Sequence, residues 1–507
     1  MTKQDADAKA LKVARTLKNA ENWKHLARWH GDGYYELHTE DTGDTPVRLF
    51  LTKQLLDDAE DILYRQIVNA TRFPGVRMVV ITPDTHYGYG VPVGCVLITD
   101  ADAGAVAMGP VGYDVGCGMM SARSEVEAGA ATPEKRLEFN RAVMERVDMG
   151  AGGKSVRLGA LEKREFNNLV RGGAEYYVEK YGATFDRSRA ERHRIPVDDD
   201  WQIPWGGKGR PERGLNQLGS LGGGNHFIEL QRSEQTGTIF VQVHTGSRGF
   251  GHGLATNYFE LAREERPEAI TDIDLGYFTP DSRHYRDYLN AVAAGGNYAI
   301  LNRLIIFEQV ADAFREVFGR ELELIYEISH NLVQREWHPE FGEVWVHRKG
   351  ATRAFPAGHP ALKGTHWEET GHPVLIPGSN KDWSYILQPL AGAVNSGYSV
   401  NHGAGRRLSR GEATRTLSQR AIDDEYKAAG ILVNINGRVP LDEAAPAYKS
   451  SQQVIEAVVG AGLARVEHQL WPLASLKGAD ERKGKRRKQG RGGKGDARKG
   501  ARTKEHY

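Results

Sequence analysis

The 507-residue sequence predicts a mixed α+β fold with β-sheets flanked by helices. Short β-branched runs at 77–82 and 238–243 read as strands, and one long stretch carries an apolar stripe at helical spacing. Neither an internal repeat nor a regular strand–helix alternation runs along the chain, which excludes solenoids and doubly wound sheets.

Taken in order, residues 5–19 and 53–69 have helical patterns, and 77–82 is a buried strand leading into a glycine cluster. Residues 134–182 read as mostly helical. Strands are expected at 227–230 and 238–243, each touching a histidine-bearing loop at one end. In the long helical stretch that follows, Ile300, Leu304, Phe307, Ala311, Phe314 and Phe318 recur at spacings of three and four, one apolar face destined for the core. Further strands are expected at 322–328, 343–346, 373–376 and 384–387, with a helix near 418–429.

Composition narrows the class. Lys+Arg number 67 against 66 Asp+Glu, and 40% of residues are hydrophobic, as in a globular protein rather than a collagen, a coiled coil or a disulfide scaffold. No apolar run approaches the roughly 18 residues of a membrane span. The charged N-terminus lacks an apolar leader, and two cysteines build no disulfide framework, so a cytoplasmic location is expected.

Glycine is the outlier, 59 residues, with eight between Gly88 and Gly118 and eight between Gly206 and Gly224. Such loops let backbone approach a ligand closely. Residues 479–507 hold twelve Lys/Arg against four Asp/Glu with almost no apolar side chains, the composition of a disordered basic tail. Trp23, His25, Trp29 and His30 near the N-terminus are expected to pack.

Chemistry-bearing residues gather in the glycine loops. Asp114 and Cys117 lie three apart in Gly109-Pro-Val-Gly-Tyr-Asp-Val-Gly-Cys-Gly118, where small residues allow both to face one ion. His226, His244 and His330 stand at the ends of expected strands. Together the five offer too few donors for two closed tetrahedral zinc sites but enough for two open ions sharing a thiolate, a catalytic pattern. Cys95, in an apolar run, reads as a buried hydrophobe. The stretch Asp148-Met-Gly-Ala-Gly-Gly-Lys154-Ser155 lacks the leading glycine and preceding strand of a phosphate-binding P-loop and is not one.

These blocks, with Asp84-Thr-His-Tyr-Gly-Tyr-Gly90, Leu218-Gly-Ser-Leu-Gly-Gly-Gly-Asn-His-Phe-Ile-Glu229, His244-Thr-Gly-Ser-Arg-Gly249, Ser329-His-Asn331, His347-Arg-Lys-Gly-Ala-Thr-Arg353, Pro377-Gly-Ser379, His402-Gly-Ala-Gly-Arg406 and Leu476-Lys-Gly478, resemble the RtcB family of RNA-splicing ligases in order and content. The resemblance spans about 84 to 477. It implies an RtcB-like fold with a central two-metal cleft in a catalytic domain at 71–478, preceded by a helical, variable region at 1–70. It also implies GTP- and manganese-dependent joining of RNA 2′,3′-cyclic phosphate or 3′-phosphate ends to 5′-hydroxyl ends.

Carried to this chain, the resemblance implies two manganese ions bridged by Cys117, with Asp114 and His330 on one and His226 and His244 on the other. His402 would be the nucleophile that takes GMP from GTP, oriented by Asp84. Asn225, Glu229, Ser379, Ser384, Gly403, Ala404, Gly405, Arg406, Tyr448 and Lys477 would hold the nucleotide. Gly403 and Ala404 would offer N–H groups to phosphate, Glu229 would accept from the guanine N1 and N2 donors, and Lys477 would donate to its O6. Arg248, with Arg353 and Arg406 as weaker candidates, would stabilise charge on the transferring phosphoryl group.

The expected partners are RNA ends such as tRNA halves, GTP and an accessory activator protein, with no membrane. Because Lys477 would reach the nucleotide, the basic tail is expected to start beside the site, where it would either hold RNA backbone by counterion release or serve only as a solubilising end. Departures from the family pattern fall at Asn380-Lys-Asp-Trp383, where Met-Gly-Thr is usual, and at Asn401 and Thr245. Two rival readings remain from the residues alone: a metal-dependent phosphoesterase acting on RNA ends, which needs no separate His402 loop, and a non-catalytic RNA-binding protein, which needs no thiolate among imidazoles.

Overall fold

A computed structural model describes residues 17–190 and 194–478. The expected helix at 5–19 therefore lies almost entirely outside the described residues, as does the basic tail. What is described is a mixed α+β architecture built on two large sheets.

The first sheet has seven strands in the order Ala27–His30, Tyr34–Leu37, Val47–Leu49, Val76–His86, Val93–Asp100, Gly342–Lys349 and Asn331–His338. All neighbours are antiparallel except Val47–Leu49 beside Val76–His86. Residues 27–49 thus supply three strands to this sheet where a helical region was expected; Tyr34, Tyr35, Leu37, Val47 and Leu49 bury their side chains, which the helical reading missed. The single helix expected at 53–69 is two, Lys53–Asp57 and Ile62–Ala70. The acidic segment Asp58-Ala-Glu-Asp61 between them holds no apolar face to bury. Trp23 packs on Tyr64 as expected, and Trp29 packs edge-on against Tyr35, centroids 4.9 Å apart, while the rest of its ring is exposed.

The second sheet also has seven strands on its main path: Glu323–Ser329, Gly118–Glu127, Thr238–Thr245, Phe227–Ser233, Ala464–Leu476, Ser384–Pro389 and Val374–Ile376, each antiparallel to its neighbours. The helix Tyr285–Phe318, 34 residues long, packs against it. Its predicted stripe is core: Ile300, Leu304, Phe307, Ala311 and Phe314 are buried in the largest apolar cluster, with Phe318 at its margin. No helix among the described residues is long and apolar enough to cross a membrane.

Antiparallel pairing is what assembles the site. In neighbouring antiparallel strands, the start of one lies beside the end of the next. Cys117 and His226 immediately precede the strands Gly118–Glu127 and Phe227–Ser233; His244 closes Thr238–Thr245 and His330 follows Glu323–Ser329. The register sets Gly118 opposite both Ser329 and Thr245, and Phe227 opposite His244. Four donors from widely separated sequence positions thereby meet at one sheet edge.

Candidate metal centre and nucleotide pocket

Two donor groups form around one sulfur. Asp114, Cys117 and His226 make one; Cys117, His244 and His330 make the other, with the ligand atoms of each group within 4.8 Å of one another. The Cys117 Sγ lies 3.3 Å from His244 Nε2 and 3.5 Å from His226 Nε2. His226 Nε2 is 3.1 Å from Asp114 Oδ2, and His244 Nε2 is 3.2 Å from His330 Nε2. Cys117 belongs to both groups; Asp114 stands with His226 and His244 with His330, where the resemblance implied Asp114 with His330 and His226 with His244. Strand order sets this: His226 enters from the strand beside that of His244, and His330 from the far side of the Gly118–Glu127 strand, which Cys117 precedes.

The donors suit a divalent cation. His226 Nδ1 meets the Leu221 carbonyl at 3.0 Å and His244 Nδ1 that of Asn225 at 3.2 Å, which fixes the tautomer and leaves both Nε2 lone pairs facing the sulfur. Burial drives His244 and His330 well below the usual imidazole range, so both are neutral, the ligating form. Burial and the Asp114 carboxylate push the Cys117 thiol up. Burial opposes ionisation of Asp114 too, but His226 and Arg248 outweigh it and bring its pKa down to about 2. A cation supplies the charge that would convert this thiol to thiolate.

Two side chains of the long helix brace these loops. Arg303, fully buried, donates to the carbonyls of Gly116 at 2.7 Å and Thr245 at 2.9 Å and to Ser329 Oγ at 2.8 Å, each adjoining a donor residue, and pairs with Glu327. Asn302 binds the Ser220 and Gly246 carbonyls, both at 3.1 Å, and accepts from the Gly219 N–H at 2.7 Å. Sequence reading missed both; a buried Arg beside Asn inside an apolar stripe was the available signal. Glycine is required at 246, where a Cβ would sit 2.3 Å from Asp114 Oδ1.

Next to the donors stands His402, its ring centroid 4.8 Å from that of His330. It follows the strand Ser399–Asn401, paired with Ala351–Arg353. His402 Nδ1 donates to Asp84 Oδ2 at 2.7 Å, and the N–H groups of His402 and Gly403 reach the same oxygen at 3.1 and 3.2 Å. Thr82 Oγ1 donates to Asp84 Oδ1 at 2.6 Å. Burial alone would raise the Asp84 carboxyl, but His402 and Thr82 hold it below the ordinary range. The imidazole is thus tethered through Nδ1, leaving Nε2 as its lone-pair nitrogen. Gly403 spends its N–H on Asp84, so the expectation that it faces phosphate is corrected. Asn401 Nδ2 donates to the Gly403 carbonyl at 2.7 Å, so this departure from the family pattern braces the loop.

The nucleotide-side residues divide. Ser384 Oγ accepts from the Gly378 N–H at 3.0 Å and from Gln231 Nε2 at 3.2 Å, and Ser379 is buried in the same turn. Glu229 is buried, accepts from Gln231 at 2.8 Å, and burial raises its carboxyl to about 7. Arg406, Tyr448 and Lys477 instead converge on a buried carboxylate absent from the expected set, Glu443: Arg406 at 3.3 Å, Arg410 at 3.3 Å, Lys477 at 3.6 Å, and the Tyr448 hydroxyl in a short hydrogen bond. Arg406 also donates to the carbonyls of Leu408 and Asp442 and lies over the Tyr448 ring. Its donors serve the protein. Arg353 is buried over Phe355.

Arg248 opens the helix Arg248–Glu265 at φ 53° and donates to the Gly150 carbonyl at 2.9 Å and to Ser220 Oγ at 3.3 Å. The loop at 148–153 follows a helix, and Gly150 N–H donates to the Gly222 carbonyl at 2.7 Å, so no phosphate cradle forms there. At the insertion, Lys381 pairs with Glu425 at 2.7 Å, Asp382 accepts from the Ser451 N–H at 2.8 Å, and Trp383 packs on Trp471. Cys95 is a core residue, its thiol pushed up to about 12 by burial.

A mixed α+β fold with a thiol shared by two donor groups that could each hold a metal ion, and a carboxylate-tethered histidine beside them, has the parts a group-transfer enzyme needs. The family model described as tRNA-splicing ligase RtcB matches residues 66–478. The chain is 37% identical over 441 residues to the RNA-splicing ligase RtcB of Mycobacterium tuberculosis, covering 82% of this chain and 100% of that one. The tRNA-splicing ligases RtcB of Pyrobaculum aerophilum and Thermococcus kodakarensis are each 35% identical, covering 85% of this chain and 95% of theirs. The chain belongs to the RtcB family.

Proposed function

We propose that the protein is a GTP- and manganese-dependent RNA ligase that joins 2′,3′-cyclic phosphate or 3′-phosphate RNA ends to 5′-hydroxyl ends through guanylylated His402. The observation that carries this reading is the Asp84–His402 pair set 4.8 Å, ring to ring, from a metal-donor histidine. A phosphoesterase would use the donor groups without a second, tethered imidazole.

Two manganese ions, held by Asp114, Cys117 and His226 and by Cys117, His244 and His330, would supply charge stabilisation at phosphoryl oxygens. His402 Nε2 attacks the α-phosphorus of GTP and the bond to the β-bridging oxygen breaks, releasing pyrophosphate. The Nδ1 proton stays on the ring, and the Asp84 carboxylate balances the cationic adduct. An RNA 3′-phosphate oxygen, freed by water from any cyclic phosphate, then attacks the guanylyl phosphorus and returns His402 to neutral. Finally the 5′-hydroxyl attacks the RNA phosphate, loses its proton and expels GMP. Glu229 and Lys477 select guanine, and Arg248 lies beside the transferring group. Ser379, Ser384 and Asn225 would line the nucleotide, and Glu443 would hold the Tyr448 and Lys477 side chains beside it.

Intact mass spectrometry after incubation with GTP and manganese checks the reading. A GMP adduct on the native protein and none on His402→Ala is expected, a loss of at least about a thousandfold in rate. An adduct retained by His402→Ala rejects it.

A further inference from the structure

The segment at 445–449 joins two parts of the site that the chain otherwise keeps far apart. Lys449 uses both its main chain and its side chain to do so. Its backbone N–H donates to the Gly405 carbonyl at 2.9 Å, in the loop that carries His402. Its ammonium donates to the Thr85 carbonyl at 2.5 Å and meets that of Pro83 at 3.4 Å, the carbonyls of the residues before and after Asp84.

This bridge falls where the backbone is least regular. The pairing of Val76–His86 with Val93–Asp100 shifts register between Ile81 and His86, so regular strand hydrogen bonds do not fix the main chain around Asp84. Gly405, at φ 78°, presses so close that a Cβ there would stand 2.1 Å from the Asp84 carbonyl oxygen. Two glycine-rich segments in such contact need a link that sets their spacing. Two further backbone bonds, from Arg407 and Leu408 to the Ala447 carbonyl, hold the segment to the same loop.

We infer that Lys449 is a positioning residue for the nucleophile, its ammonium gripping the carbonyls on either side of Asp84 while its own peptide holds the His402 loop. The inference rests on the reading of His402 as the group that accepts GMP. Lys449 itself need not touch GTP, metal or RNA. What it sets is the direction of the Asp84 carboxylate, and through it the aim of His402 Nε2. Displacements of about 1 Å in such a pair cost up to roughly a hundredfold in rate.

The test is single-turnover guanylylation of the full chain with labelled GTP, comparing native protein, Lys449→Met and Lys449→Arg, with manganese content measured on each. Methionine keeps the stem and removes the donors; arginine keeps a cationic donor at the end of a long stem. The expected result is a rate lowered about 10- to 100-fold in Lys449→Met, with the GTP concentration for half-maximal rate and the manganese content within about twofold of native, and most of the rate recovered in Lys449→Arg. A native rate in Lys449→Met overturns the inference, as does a defect confined to GTP affinity, which would make Lys449 a substrate contact. Loss of manganese in Lys449→Met overturns it too, by assigning the side chain a general structural role. Absence of any adduct on the native protein would instead reject the ligase reading itself.

Discussion

The metal-donor end of the site and its nucleotide end are built on opposite electrostatic plans. At the donor end, neutral imidazoles and a protonated thiol sit on rigid strand ends, pinned from beneath by Arg303 and Asn302 of one helix. Asp114 is ionised there, and the thiol ionises only when a cation arrives. At the nucleotide end, Arg406, Arg410 and Lys477 already surround the Glu443 carboxylate, with the carboxyls of Asp442 and Glu229 close by, in turns and short helices near the C-terminus. The difference fits the two roles proposed above: the first end would take a cation by donor geometry, and the second has its cations fixed in place before a nucleotide binds.

Breaking the donor end is expected to have the largest effect. Arg303→Met removes three hydrogen bonds and one partner of a buried ion pair, a loss on the order of 3–5 kcal/mol. Lower bound manganese, measured by elemental analysis, and a thermal midpoint lowered by several degrees are expected together. Unchanged metal content would mean that the loops hold their positions without the helix.

The nucleotide end should fail in another way. Glu443→Gln halves the bonding capacity offered to three cations without emptying the space, so manganese content should stay native while the KM for GTP rises about tenfold. A fall in metal content would join the two ends that the structure separates.

The smallest effect is a pH dependence that sharpens the contrast. Burial raises Glu229 to about 7, and a guanine that donates two N–H groups favours its ionised form. GTP affinity should therefore be full above pH 7 and weaken as pH falls through that value, approaching tenfold per unit. Calorimetric titration of GTP from pH 6 to 8 checks it, with Glu229→Gln expected to remove the slope.

How legible each end was follows the same division. The five metal donors were readable because Asp114, Cys117 and the histidines carry distinctive chemistry at strand ends, and the core stripe from Ile300 to Phe314 was plain from spacing. Their grouping was not, because which imidazole meets which depends on strand order in an antiparallel sheet. Arg303 was hidden inside the same stripe that revealed the helix. Glu443 sits in a run of two short 3₁₀ turns with no motif around it, and only the fold brings Arg406, Arg410 and Lys477 to it. Strands at 27–49 were missed because they are three or four residues long, too short for an alternating pattern to emerge.

The sulfur common to both donor groups gives the centre a single point of chemical failure. Oxidation or alkylation of that one atom would strip a ligand from both positions at once, whereas loss of any histidine would spare one group. The site is guarded against this: Cys117 is 4% exposed and its thiol is pushed up by burial and by Asp114, so in the absence of a cation it is a poor nucleophile toward oxidants. A cation that made the thiolate would also bind that sulfur, so the ionised form would exist only while it is coordinated.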